Sequence, residues 1–87
     1  MRESQLEQKL VSHITKLGGI AYKFSSPNRR SVPDRLCVMP NGRAFFVELK
    51  SEGKAPTPLQ RHEHETLRAL GHTVLVIDKI GDVYDIA

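Results

Sequence analysis

Asp34 follows Pro33, and after thirteen intervening residues comes the run Glu48-Leu49-Lys50. Two carboxylates can hold a hard divalent cation, which prefers oxygen ligands. A lysine beside them can stabilise charge developing on a phosphate or orient a water at the cation. Metal-dependent hydrolysis of a phosphodiester needs this set of groups. An Asp, a gap and Glu-x-Lys also occur by chance, and the competing reading is an exposed strand carrying a solvated Glu and Lys. The elements that position these residues therefore decide between the two.

The strand reading for residues 44–50 puts Glu48 and Lys50 on one face, with Ala44 and Phe46, because side chains alternate along a strand. Phe45, Val47 and Leu49 then face a helix. Residues 35–39 read as a second strand, joined to the first by the turn signal Pro40-Asn41-Gly42. The register of this hairpin matters. A two-residue loop sets position 34 against 49, with the carboxylates facing apart. A three-residue loop over 40–42, with Gly42 left-handed, sets Asp34 against Glu48.

Around this hairpin, Leu6, Leu10, Ile14 and Leu17 recur at helical spacing, with Val11 beside them, and predict a helix over 4–17 that Gly18-Gly19 stops. Residues 20–24 read as a short strand and Ser25–Pro33 as a polar loop. Pro58 at a first helical position opens a second helix bearing Leu59, Glu63, Thr66, Leu67 and Leu70, ended by Gly71. Residues 73–77 form a further strand, and the last ten read as strand or turn around Tyr84 and Ile86. The fold class is α/β, in the order α-β-β-β-α-β, with residues 1–87 as one domain.

Several side chains near these elements carry two readings. Glu3 and Glu7 lie one turn apart on the first helix, so either can add a third carboxylate. Ser4 to Glu7 also reads as a capping box, with Glu7 turned back on the backbone. Thr57 to Gln60 repeats that pattern, although the Gln60 amide could equally touch a phosphate or water. His62 and His64 do not fit a His-Glu-x-x-His zinc motif, because position 66 is Thr. They read as a solvated face. His13 and His72 read as structural or exposed. Lys23, Arg29, Arg30, Arg35 and Lys54 flank the proposed site and suit DNA phosphates, against solubility as the plain alternative.

Composition sets the bounds. With 39% hydrophobic and 26% charged residues the chain falls in the globular range, not the disordered one. A chain of 87 residues buries only ~60–65% of its unfolded surface, so self-association would help it. The net charge of +3 is compatible with a polyanionic partner without identifying one. One cysteine, Cys37, excludes an internal disulfide and suits a buried, inert thiol in a reducing cytoplasm. No apolar run approaches the ~20 residues of a membrane helix, and the N-terminus lacks the apolar region of a signal peptide.

The chain resembles the VRR-NUC family of the PD-(D/E)XK nuclease superfamily. The similarity runs through Arg2-Glu3-Ser4-Gln5-Leu6-Glu7, Gly18-Gly19, Tyr22-Lys23-Phe24, Ser26-Pro27 and Arg29-Arg30. It continues through Val32-Pro33-Asp34-Arg35-Leu36, Gly42-Arg43, Phe46-Val47-Glu48-Leu49-Lys50, Pro58-Leu59-Gln60 and Leu70-Gly71. This resemblance implies a nuclease core with a mixed sheet flanked by helices, and a Mg²⁺- or Mn²⁺-dependent DNA endonuclease. Asp34, Glu48 and the Leu49 carbonyl would be metal ligands, Lys50 would act on the water or the scissile phosphate, and Gln60 and a helical Glu would complete the site. Glu7 is favoured for that last place, with Glu3 as the alternative. The resemblance further implies a stand-alone homodimer acting on branched DNA such as four-way (Holliday) junctions, in the cytoplasm of a bacterial or phage-infected cell. The rivals are a flap or 5′-tailed DNA nuclease and a catalytically idle DNA-binding module. Ser31 departs from the family, which often has Gly before Val-Pro-Asp.

Overall fold

A computed structural model describes all residues, 1–87. Helix α1 (Glu3–Lys16) leads into strand β1 (Ile20–Lys23), followed by β2 (Arg35–Val38), β3 (Ala44–Leu49), helix α2 (Pro58–Ala69), strand β4 (Val74–Ile77) and a short helix α3 (Ile80–Tyr84). One sheet holds the strands in the order β1-β2-β3-β4. Its first three strands are antiparallel neighbours, and β4 joins β3 in parallel, with α2 as the crossover.

Strand alternation sorts the sheet into two faces. Ala21, Cys37, Phe45, Val47, Leu49 and Ile77 point to one side, where they pack with Leu6, Leu10 and Ile14 of α1 and with Val83 and Ile86 near the C-terminus. This is the core, and the expected turning of Phe45, Val47 and Leu49 towards a helix is observed. On the other face α2 covers the β3–β4 side, where Val74 is buried outside that core cluster. Ile20, Tyr22 and Val38 of β1 and β2 remain uncovered there. No helix is long and apolar enough to cross a membrane.

Both long helices end as the glycines suggest. In α1 the Gly18 N–H donates to Thr15 O and the Gly19 N–H to Ile14 O, with Gly18 left-handed at φ 87°. The same pair of bonds, from Gly71 to Arg68 and from His72 to Leu67, closes α2.

The N-terminal cap lies elsewhere than expected. Helix α1 starts at Glu3, and the Gln5 side chain accepts the Arg2 N–H at 2.8 Å, so Ser4 and Glu7 do not form a capping box. At α2 the box is present: Thr57 Oγ1 accepts the Gln60 N–H at 3.2 Å, and Gln60 Oε1 accepts the Thr57 N–H at 2.9 Å. The apolar stripe expected on α2 is only half right. Leu59 and Leu70 are exposed, while Glu63 and His64 are buried.

The tail differs as well, forming α3 instead of a strand or turn. Val83 and Ile86 of this segment enter the core and Ile80 packs against it, too few apolar positions to display a helical period.

Candidate active site

Asp34 is fixed from two sides. Its main-chain O accepts the Phe24 N–H at 3.0 Å, and its carboxylate accepts the Leu49 N–H at 2.8 Å. The β2–β3 register pairs Arg35 with Val47 and Val38 with Ala44, so its continuation sets Asp34 opposite Glu48. The loop of Pro40, Asn41 and Gly42 produces that register. Gly42 is left-handed, at φ 78°, and so is Asn41, at φ 67°. The three-residue hairpin is therefore the one that forms.

Glu48 is the most constrained carboxylate of the chain, with 2% of its surface exposed. Burial above all, and then the charge and hydrogen bonding of Asp34, push its pKa up to about 8. Lys50 opposes that shift, and Glu3 adds to it as a third negative group. Lys50 Nζ lies 4.0 Å from Glu48 Oε2, and its own side chain is only 14% exposed. Lys50 is thus not a solvated strand charge. Two carboxylates crowd one place, with a single lysine to offset them.

His64 of α2 closes this place from the opposite side, contrary to the expected solvated face. It is 1% exposed, and its Nε2 lies 3.3 Å from Glu48 Oε1. Burial, followed by Arg68 and Lys50, lowers its pKa and keeps the ring neutral near neutral pH. His62 is exposed as expected. A signal for His64 was present in the helix spacing. Gln60, His64 and Leu67 stand at i, i+4 and i+7, and all three are turned at least partly inward.

Glu7 does not join the carboxylate pair. It accepts the Arg35 Nε–H at 2.9 Å, and Arg35 also donates to Ala21 O at 3.1 Å, so the pair ties α1 to the sheet. Of the two helical acids it is Glu3 whose charge acts on Glu48. Arg35 is accordingly a structural ion-pair residue and not a free phosphate contact. Arg29 is engaged too. Its Nε and Nη2 fork onto both oxygens of Glu63, with Nη2 to Oε1 at 2.6 Å. Lys23, Arg30 and Lys54 are exposed and form no ion pair. Gln60 spends its side-chain oxygen on the helix cap.

His13 Nε2–H donates to Ile86 O at 2.7 Å, and the ring stands edge-on to Tyr84, a structural place as expected. His72 lies edge-on to Phe46, at the surface. Cys37 is fully buried, and burial raises its thiol to about 11, which makes it inert. A surface cavity of about 690 Å³ is lined by Arg43, Phe45, Asp82 and Ile86 among others, and by none of Asp34, Glu48 or Lys50.

No protein-family model matches the chain. A solved structure described as a VRR_NUC domain superposes with a TM-score of 0.90 at 33% identity, covering 97% of this chain and 91% of the other. The chain belongs to the VRR-NUC family of nucleases. A second relative is a protein of Acyrthosiphon pisum secondary endosymbiont phage 1 named “Putative nuclease p44”. It is 58% identical over 78 residues, which span 90% of this chain and 84% of the phage protein.

In this VRR-NUC domain the departure at Ser31 has a structural meaning. Ser31 holds φ 64°, a left-handed conformation that glycine adopts without strain. The loop leading to Asp34 keeps the glycine-like backbone although the glycine itself is absent.

Proposed function

We propose that this VRR-NUC domain is a Mg²⁺- or Mn²⁺-dependent, structure-selective DNA endonuclease that works as a homodimer on branched DNA such as four-way junctions. The observation that carries the metal-dependent part is the buried carboxylate of Glu48, pressed against Asp34 with one lysine beside it. Like charges brought together out of water are costly unless a cation joins them.

The donor set fits such a cation. Asp34 and Glu48 would hold it with hard oxygens, and the Leu49 carbonyl is the candidate third donor. No group of three or more His, Cys, Asp or Glu side chains stands close enough to form an all-protein cage. That suits a Mg²⁺-type ion, which keeps waters and takes substrate phosphate oxygens as ligands. When bound, the cation supplies Lewis-acid stabilisation of the scissile phosphate and activates water for attack.

The chain's own residues do the rest. The Leu49 N–H holds the Asp34 carboxylate in place. Lys50, just past the end of the same strand, brings a positive charge to where a phosphate's negative charge grows during attack. Glu3, at the exposed start of α1, is favoured over Glu7 as the additional acid. Lys23, Arg30 and Lys54 are the free cations for backbone phosphates, and each such contact makes binding salt-dependent.

The homodimer is supported by Ile20 and Tyr22, each 52% exposed, and Val38, 38% exposed, which share one face at the open β1 edge. An apolar patch beside an unpaired strand edge suits a second copy of the chain. A two-fold dimer would give a four-way junction two sites with matching symmetry.

One gel assay tests the substrate. Labelled four-way junction, flap, 5′-tailed and linear duplex DNA are incubated with the protein in Mg²⁺ and in chelator. Cleavage in Mg²⁺ alone, with the junction preferred, is expected. Equal cutting of flap and junction would contradict the junction preference, and undiminished cutting in chelator would contradict the metal.

A further inference from the structure

Position 64 on α2 is almost fully buried, at 1% exposure, as an apolar side chain would be. It holds a histidine instead. The polar partner of that ring is Glu48, with Nε2 3.3 Å from Oε1. Both side chains are almost fully excluded from water, at 1% and 2% exposure. The other Glu48 oxygen, Oε2, is the one nearer to Lys50. The two oxygens of one carboxylate are thus engaged from different places, one from a helix and one from the residue just past the end of β3.

The helix that carries His64 is itself held. Thr57 and Gln60 cap its first turn. The fork of Arg29 onto Glu63, the preceding residue, ties it to the loop before Asp34. The ring therefore reaches Glu48 from a fixed support.

We propose that His64 is a positioning residue for the metal centre, its Nε2–H donating to Glu48 Oε1 and fixing the rotamer in which Glu48 presents itself with Asp34 to a divalent cation. The inference rests on the metal-centre reading of Asp34 and Glu48. Side chains that hydrogen-bond a metal ligand orient it, and their loss weakens metal binding by roughly 10–100-fold. A residue that only fills the core would be replaceable by an apolar one of similar size. A positioning residue is replaceable only by another donor that reaches the same oxygen.

Mn²⁺ serves as the probe, with binding to the whole chain read by calorimetry in the absence of DNA and folding read separately by thermal unfolding. Three variants are compared with wild type. His64→Leu keeps the bulk and loses the donor. His64→Gln carries an amide N–H near the place of Nε2. His64→Asn keeps an amide on an arm too short to reach. Mn²⁺ affinity should fall roughly 10–100-fold in His64→Leu and His64→Asn, and recover to within about threefold of wild type in His64→Gln. His64→Asn serves alone should His64→Leu not fold. A folded His64→Leu or His64→Asn that binds Mn²⁺ like wild type, or a His64→Gln no better than either, overturns the inference while the metal centre stands. Wild type that takes up no Mn²⁺ contradicts the metal centre itself and the inference with it.

Discussion

At the scale of single residues, the fold gathers Asp34, Glu48 and Lys50 in one place and buries Glu48 there. Nothing in Glu-Leu-Lys says that the glutamate is buried, because burial comes from α2, which is remote in the chain. The place of His64 and the engagement of Arg29, Arg35 and Glu7 in ion pairs were hidden for the same reason: each partner is 28 or more residues away, or sits on a different element. The raised pKa of Glu48 gives a pH dependence of stability. Its unfolded value is 4.5 and its folded value about 8, so the folded chain binds the extra proton. The favourable contribution is therefore fully present below about 4.5 and lost as the pH rises through about 8. In chelator, the unfolding temperature should fall between roughly pH 7 and 9, and the fall should be largely absent in Glu48→Gln. His64 works in the opposite direction, costing stability as the pH drops below its ordinary value of 6.5, so the comparison is made above that value. Lys50→Ala should lower the cleavage rate by roughly 10²-fold at saturating DNA, as loss of an electrostatic stabiliser does. A loss that appears only in DNA affinity would make Lys50 a phosphate anchor.

At the scale of elements, the pattern of apolar residues identified both long helices and all four strands, with boundaries within a residue or two. The hairpin register was only half legible: the sequence allowed a two-residue or a three-residue loop, and the left-handed Asn41 and Gly42 of the fold select the three-residue one. The short α3 was not legible, since five residues give no period to read. Gly19 carries an element-scale prediction. A Cβ there would stand 2.7 Å from Val38 O, a backbone atom that cannot turn aside, and 2.7 Å from Met39 Sδ. Gly19→Ala should destabilise the fold by about 1–3 kcal/mol, read from urea unfolding. An unchanged midpoint would mean that the α1–β1 junction shifts without cost.

At the scale of the whole molecule, charge and size suggested a polyanionic partner and self-association, and the uncovered β1–β2 face gives the second idea a location. Among the aromatic residues considered for a contact, Phe24 and Phe46 are partly buried and pack on one another with ring centroids 5.5 Å apart, while Tyr84 is exposed beside His13. Ile20, Tyr22 and Val38 are the better candidates. Tyr22→Asp should convert a dimer to a monomer in light scattering at micromolar concentration while the fold persists. A wild type that is strictly monomeric and still cuts junctions would contradict the symmetric dimer. Asp34→Asn tests most directly whether Asp34 and Glu48 form a metal centre that cuts DNA. This change keeps the shape of the side chain and an oxygen for the Leu49 N–H, and removes the negative charge. Junction cleavage in Mg²⁺ is measured for wild type and variant, with junction binding followed in parallel. The variant is expected to bind the junction and stay folded but not to cut. A variant that cuts at the wild-type rate in Mg²⁺ would contradict that metal centre.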